Sequence, residues 1–387
     1  MKLKKILAIS SAAILMVGAG LSIGIAIGLN NDNPPIVDSG FEASTGVKVT
    51  WDNLITNNVV NVEEGELNVN NNEVDKLCSN GETFSLVIPE TAGVTKIGFD
   101  AFNECEKLTS ITIPATVTEI DTDAFYNCFN LVSVNFADNS QLNTVGYGAF
   151  TYCRKLANIT LPSTVTKIDQ SAFIGCSSLA SINIPSGVTK IEHSVFKDCE
   201  SLTNITISGS ITEIEPYAFY NCKALTSIDN IIVNVISIQE SAFTRCDNVT
   251  EINFQTSLTS VEKDAFMDCQ SLQKITFASD KVDFGIGVFR NCINLIDVQL
   301  PQNTEEISDY MFYNCEDFST LTISSSISQI GYRAFMNCFK LTLTFEEVNW
   351  IYSSSEDFNE YTEIVIDSNN VMTLVDELAD NYFKLNN

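Results

Sequence analysis

This chain of 387 residues has little of what most enzymes and nucleic-acid-binding proteins need. It contains one histidine, His193, and 21 Lys and Arg residues against 49 Asp and Glu, a net charge of −28. A single histidine, which we expect in an exposed loop, offers no transition-metal constellation and no Ser-His-Asp or Cys-His scheme. The acidic surface repels phosphate backbones and anionic lipid. We therefore predict no enzyme activity, no metal or cofactor, and no nucleic-acid partner.

Long hydrophobic runs are missing apart from one at the N-terminus. Met1-Lys2-Leu3-Lys4-Lys5 is a positive segment, and Ile6 to Leu29 follows without a charge. This asymmetry predicts export, and the run is long enough either for an uncleaved membrane anchor or for a cleaved signal peptide. No cysteine offers a lipoprotein anchor there, and no Leu-Pro-x-Thr-Gly motif is present. We expect an extracellular protein, anchored at the cell surface or secreted, that contacts membrane through this segment only.

A phenylalanine–cysteine pair recurs through most of the chain, with successive cysteines 23 to 25 residues apart. The eleven pairs are Phe102 and Cys105, Phe125 and Cys128, Phe150 and Cys153, Phe173 and Cys176, Phe196 and Cys199, Phe219 and Cys222, Phe243 and Cys246, Phe266 and Cys269, Phe289 and Cys292, Phe312 and Cys315, and Phe335 and Cys338. A fixed period of this length is typical of a solenoid, whose repeats bury their apolar faces by stacking. We predict that these residues form its structural core.

A single repeat predicts its own local structure. Ala101, Cys105 and Leu108 follow the spacing of one helical stripe and predict a short helix or turn. Ile111 and Ile113 alternate with polar residues, which indicates a strand. A bend and a second short extended stretch follow before the next repeat. Stacking would place equivalent strands side by side in a parallel sheet.

The repeat Ala-Phe-x-x-Cys-x-x-Leu-x-x-Ile-x-Ile-Pro-x-x-Val-Thr-x-Ile, as in Ala172 to Ile191, resembles the BspA-like class of leucine-rich repeats. The resemblance implies an α/β solenoid of about eleven repeats, curved, with its parallel sheet on the concave face and a cap at each end. It also implies a cell-surface or secreted protein associated with adhesion to host proteins or other cells. Two inserts depart from the pattern, one residue near Asp229-Asn230-Ile231 and two near Ala137 to Asn143, and we expect each to swell a loop.

The repeat boundaries divide the chain into five parts. These are a signal peptide or signal-anchor (1–29), a linker (30–41), an N-terminal cap with a degenerate first repeat (42–98), the repeat solenoid (99–345) and a C-terminal cap (346–387). Helical spacing from Val371 to Tyr382 predicts a short amphipathic helix in the last part.

Twelve cysteines in an exported chain raise the question of disulfides. The eleven column cysteines would project in parallel from adjacent coils, so their Cβ atoms would not converge as a disulfide requires. We therefore predict a column of buried thiols. Cys78 falls outside the column and has no evident partner; whether it is free stays open.

The column seven residues after each cysteine points outward from the predicted strand and forms a candidate ligand-binding strip. Its members are Thr112, Asn135, Thr160, Asn183, Thr206, Asp229, Asn253, Thr276, Gln299 and Thr322. Such a ladder suits an exposed parallel sheet on structural grounds alone, yet it also suits a protein or glycan partner laid across several repeats. Two functions stay open: adhesion to a host extracellular or cell-surface protein, and a surface coat or spacer without a specific ligand.

Overall fold

The computed structural model describes residues 40–43, 48–50, 61–63, 66–68, 78, 83–88, 90, 93–345, 350–351, 363–366, 370–373 and 383–384. These residues form the predicted parallel-strand solenoid, with coils that repeat about every 23 residues. The signal segment, most of the linker and much of both caps lie outside the described residues, so those assignments stay predictions.

Each coil except one contributes a main strand, formed where apolar and polar residues alternate. The main strands are Phe84–Val87, Leu108–Ile113, Ser133–Phe136, Asn158–Ile159, Ser181–Ile184, Asn204–Ile207, Glu251–Phe254, Lys274–Phe277, Asp297–Gln299, Thr320–Ile323 and Thr342–Phe345. Neighbours pair in parallel and in register, as in Asn183 with Thr206 and Ile184 with Ile207. Equivalent positions of successive repeats therefore become columns on the sheet.

A second, shorter strand follows in every coil. These strands are Lys96–Ile97, Glu119–Ile120, Thr144–Val145, Lys167–Ile168, Lys190–Ile191, Glu213–Ile214, Ser237–Ile238, Ser260–Val261, Asp283–Phe284, Glu306–Ile307 and Gln329–Ile330. They also pair in parallel, so each coil presents two strand-lined sides and buries its apolar residues between them.

The main strands form three separate sheets. The first ends at Ser133–Phe136, the second runs from Asn158–Ile159 to Asn204–Ile207, and the third begins at Glu251–Phe254. Each insert lies at one of these interruptions. The core does not break there, because Phe125 stacks on Phe150 and Phe219 on Phe243 at the same ring separation of 5.1 Å.

Antiparallel strands close both outer sheets. Strand Gly40–Ala43 pairs with Phe84–Val87 and with Lys48–Thr50 at one end. At the other, Glu363–Ile366 extends the third sheet in parallel and then pairs antiparallel with Asn370–Thr373. A second hairpin, Asn61–Glu63 with Glu66–Asn68, joins the short-strand side, and Trp350–Ile351 pairs with Phe383–Lys384.

The C-terminal helix prediction is wrong for residues 371–373, the part of it that the structure describes before residue 383. Val371 lies in the strand Asn370–Thr373, where its partner is Val365. The remaining residues of that prediction, 374–382, lie outside the described residues.

The helical stripe of each repeat folds as two turns. In a representative coil, Asp123 and Asn127 flank Phe125 with positive φ values of 53° and 55°. Residues in the left-handed region end any run of helical hydrogen bonds, and Asp and Asn tolerate that region better than most side chains. The amide of Phe125 donates instead to the carbonyl of Ala149 in the next coil, at 2.8 Å. Within residues 93–345 the one α-helix is Asp229–Ile232.

The phenylalanine column is the centre of the core. From Phe102 to Phe335 each ring stacks on the next, with centroids 5.1 to 5.8 Å apart and planes within 19° of parallel. Their side chains are almost completely buried. This continuous stack is how one coil stabilises the next.

The cysteine column confirms the buried thiols at ten of its eleven positions. Each of these ten Sγ atoms lies 2.9 to 3.4 Å from the carbonyl oxygen of the phenylalanine in the preceding coil, to which the S–H donates. The thiol is therefore a cross-coil hydrogen-bond donor as well as a small apolar group.

The prediction of a free thiol is wrong at Cys105, which forms a disulfide with Cys78 across a Cα–Cα distance of 4.2 Å. Cys105 belongs to the first Phe–Cys pair, so no earlier phenylalanine offers it a carbonyl. Cys78 lies against this first coil, where its own carbonyl accepts from the amide of Lys107 at 3.2 Å. Because Cys78 is not in the column, the parallel-projection argument does not apply to it.

Candidate interaction surface

Apart from Asp229, the predicted strip follows the outward side of the main strands, and none of its ten residues is buried. Five are exposed: Asn135, Thr160, Thr206, Gln299 and Thr322. The other five are half-buried: Thr112, Asn183, Asp229, Asn253 and Thr276. The sheet places Thr112 beside Asn135, Asn183 beside Thr206, and Thr276 between Asn253 and Gln299. The strip is divided wherever the main sheet is divided.

Four members of the strip, Asn183, Asp229, Asn253 and Thr276, use their side chains in hydrogen bonds within the protein. Asn183 Oδ1 accepts from the amide of Leu161 at 2.7 Å, and its Nδ2 donates to the Leu161 carbonyl at 2.9 Å. Asn253 Nδ2 donates to Asp229 Oδ2 at 3.1 Å, and its Oδ1 accepts from Thr276 Oγ1 at 2.8 Å. These amides connect coils, and a ligand would have to displace existing hydrogen bonds to reach them.

Asp229 does not lie on a strand, contrary to the prediction. It is the first residue of the helix Asp229–Ile232, which occupies the place of the main strand in its coil. The helix satisfies the two strand edges beside it through side chains. Asn230 Nδ2 donates to the Ile205 carbonyl at 2.6 Å on one side, and Asp229 Oδ1 accepts from the Asn253 amide at 3.2 Å on the other.

Asn230 is the residue that the sequence interpretation missed. The extra residue near Asp229-Asn230-Ile231 is visible as a break in the period and predicts a swollen loop, but the structure has a helix there. The signal that could have identified the role is chemical: Asp and Asn are short side chains that readily replace backbone hydrogen bonds. Their appearance at an insert, where a strand would otherwise be, is consistent with side-chain pairing to both neighbours.

The column two residues earlier on the same strands changes character along the array. In the second sheet it is uncharged, and Ser181 Oγ donates to Asn158 Oδ1 at 2.6 Å. In the third sheet it carries charge, and Lys274 Nζ lies 3.6 Å from Glu251 Oε1. The helix therefore lies between an uncharged face and a charged one.

The described residues offer little for covalent chemistry. Burial raises the pKa of Cys128, Cys269 and Cys338 to about 12, so few of these thiols ionise near neutral pH. His193 lies in a turn but is half-buried and not exposed as expected, because its ring packs edge-on against Tyr217 with centroids 5.7 Å apart. Within the described part of the chain, His, Cys, Asp and Glu form no group of three that could hold a metal ion. No helix found there is long and apolar enough to cross a membrane.

Comparison with known families gives a match over most of the array. The model of the BspA type leucine rich repeat region matches six copies, over residues 95–226 and 224–342. No curated protein matches the chain.

Solved structures of bacterial leucine-rich repeat proteins are similar to the chain at low identity. A leucine rich cell surface protein from Faecalibacterium prausnitzii is 24% identical, with a TM-score of 0.46 over 82% of this chain and 98% of that one. A leucine-rich repeat protein from Bacteroides ovatus is 24% identical, with a TM-score of 0.43 over 79% and 96%. A leucine-rich repeat protein from T. pallidum is 25% identical, with a TM-score of 0.36 over 57% and 86%.

Proposed function

The chain belongs to the BspA-type leucine-rich repeat family, and on that premise we propose that it is an exported surface protein that binds a protein partner and so mediates adhesion. Repeat solenoids present extended surfaces, and such surfaces suit non-covalent recognition better than chemistry in a pocket. The partner we propose is an extracellular or cell-surface protein of a host. The N-terminal segment, positive and then uncharged through Leu29, supports export and attachment to the membrane.

One observation supports the strip as the binding surface. Asn135, Thr160 and Thr206 are exposed, and within the described residues their side chains make no hydrogen bond. Asn135 lies on the last strand of the first sheet. Thr160 and Thr206 follow on coils of the second sheet with Asn183 between them, where paired strands are about 4.8 Å apart. Their donors and acceptors are open to a partner, whereas those of Asn183 and Asn253 are already used.

The first experiment is a binding screen of the purified chain, residues 36–387, against extracellular-matrix proteins and host-cell surfaces at physiological salt. We expect saturable binding that unlabelled protein competes. A glycan array is run in parallel. The two screens together show whether the ligand is a protein or a glycan.

The strip is tested with the triple variant Asn135→Lys, Thr160→Lys and Thr206→Lys. A matched control places three lysines at Ser163, Ser186 and Ser208, which are exposed on the loops that follow Thr160, Asn183 and Thr206. We expect the strip variant to lose at least tenfold in affinity and the loop variant to bind normally, with both folded by circular dichroism. Normal binding by the strip variant would show that recognition lies elsewhere. A folded monomer that binds no partner would favour the coat or spacer function.

A further inference from the structure

The turn side of the coils carries the same three-residue cluster twice. Lys197 Nζ lies 5.7 Å and 5.4 Å from the ring centres of Tyr217 and Tyr220 in the next coil. Arg290 Cζ lies 5.8 Å and 5.4 Å from those of Tyr310 and Tyr313. Within each tyrosine pair the ring planes meet at 59°. Each cation follows the stacked phenylalanine of its coil, so the two clusters occupy equivalent positions 93 residues apart.

These two cations differ from most others of the protein. Eight lysines lie within 4.0 Å of a carboxylate oxygen: Lys96, Lys167, Lys190, Lys223, Lys263, Lys274, Lys281 and Lys340. Among the described residues, Lys197 and Arg290 form no such pair. The Arg290 Nε is buried without a hydrogen-bond partner. Both side chains lie over aromatic faces, which attract a cation but leave its charge unneutralised.

Nearby carboxylates are turned to other donors. Asp198 accepts from Asn221 Nδ2 at 2.8 Å, and Asp268 accepts from Asn291 Nδ2 at 2.7 Å. Asp264, in the coil before that of Arg290, is 3.8 Å from Lys263 and also lies within electrostatic range of Arg290, with which it forms no ion pair. At physiological salt the screening length is about 8 Å, so the distant acidic residues contribute little to the field at each cluster. A partner's carboxylate would meet an unpaired cation there.

The spacing of the clusters suggests what binds them. Four stacking steps separate Phe196 from Phe289, each of 5.1 to 5.8 Å. At about 3.3 Å per residue, an extended polypeptide covers the resulting distance of about 22 Å in six to seven residues, and six is the even number in that range. An even number places both end side chains on one face of the extended chain. Between the clusters, in the column of Lys197 and Arg290, lie two uncharged residues: Thr244, which is buried, and Met267, which is half-buried and open to the segment.

We propose that this turn surface is a second recognition site, which binds an extended acidic polypeptide segment with two carboxylates about six residues apart and apolar residues between them. One carboxylate pairs with Lys197 and the other, in bidentate fashion, with Arg290. The tyrosines hold the two cations in place and pack against the segment, in keeping with the enrichment of Tyr and Arg in protein interfaces. The site is on a different part of the coil from the strip and does not depend on it.

The test uses residues 36–387 and a fluorescein-labelled peptide with two glutamates six residues apart and valine, leucine and serine between them. Fluorescence anisotropy is measured at physiological salt. A peptide of the same composition with adjacent glutamates is the control ligand. We expect the spaced peptide to bind at least tenfold more tightly, because only it reaches both clusters.

The protein variants separate the clusters from general charge. Lys197→Met with Arg290→Met keeps side-chain stems over the tyrosines and should weaken binding at least tenfold. Lys223→Met with Arg245→Met removes two cations from the same side and should leave binding within twofold. Thermal unfolding confirms that each variant is folded. Four outcomes would each overturn the proposal. The two variant pairs could lose the same affinity, the two peptides could bind equally, neither peptide could bind, or hyaluronan fragments, as a carboxylated glycan, could bind in preference to the peptide.

Discussion

The buried Phe–Cys column and the face of the main sheet belong to the same coils but follow different rules. The column passes both inserts without a change: the rings stack at 5.1 Å where the sheet is interrupted, as they do between Phe102 and Phe125. The sheet instead divides into three parts and replaces one strand by a helix. The core tolerates little variation because each coil must fit the next at close packing. The face is constrained only by hydrogen bonding, so it is where one coil can differ from another.

Alkaline pH should affect the column most strongly. The folded pKa of the thiols is raised by burial, to about 12 at Cys269, above the 9.0 of an unburied thiol. As pH rises past 9 the unfolded chain loses protons that the folded chain keeps, so stability is full below that pH and falls until the thiols ionise in the folded state. Between the pKa of the unfolded chain and that of the folded chain, each thiol lowers the free energy of unfolding by about 1.4 kcal/mol per pH unit. We expect urea midpoints to fall steeply between pH 9 and 11.

A single-site control isolates the thiols from tyrosine and lysine titration. Cys269→Ala should lower by one the number of protons that unfolding releases between pH 9 and 11. Its urea midpoint at pH 7 should change much less than the midpoint of the unchanged protein does over that pH range. Midpoints that stay level up to pH 11 would contradict the assignment of ten buried thiols.

Replacing one phenylalanine of the column by alanine tests whether the stability of the column depends on the continuity of the main sheet. Phe219→Ala, in the coil that contains the helix, and Phe173→Ala, within the second sheet, should each lower the free energy of unfolding by about 3–5 kcal/mol. Both rings are fully buried and stacked on two neighbours. Urea unfolding followed by circular dichroism measures the difference. A cost at Phe219 well below that at Phe173 would mean that the interrupted sheet also weakens the core.

A smaller effect is expected at the helix. Asp229→Ala with Asn230→Ala removes the side chains that pair with Asn253 and Ile205 and should cost about 1–3 kcal/mol. Thr206→Ala, on the neighbouring strand, removes an exposed side chain and should change stability by less than about 0.5 kcal/mol. Hydrogen exchange at the Asn253 amide locates the change. Unchanged exchange there would mean that Asp229 does not protect that strand edge.

The fold was predicted correctly where the same residue spacing recurs in every coil. Phe173 and Cys176 repeat a spacing that only stacking explains, so the solenoid, its strand alternation and its buried core followed from the sequence. The prediction was wrong where a residue's partner lies outside its own column. Cys105 forms a disulfide with Cys78, which lies outside the repeat period. The side chains of Asp229 and Asn230 form hydrogen bonds with two different strands.

The candidate surfaces show the same limit. The strip was identified by counting from each cysteine, and its ten positions are indeed outside the core. Counting could not distinguish Asn183, whose amide is used by Leu161, from Thr206, whose side chain is open. The Lys197 and Arg290 clusters were not predicted at all, because their tyrosines lie in the following coil.

The sequence by itself determined the repeat, the residues that stack and which side chains of the repeat point into the core, because these follow from period and hydrophobicity within one coil. Only the tertiary structure decided which thiol is oxidised, where the main sheet divides and which polar groups stay open to a partner. Those outcomes depend on distances between atoms in different coils, and residues about 23 positions apart in sequence become neighbours only when the coils are stacked.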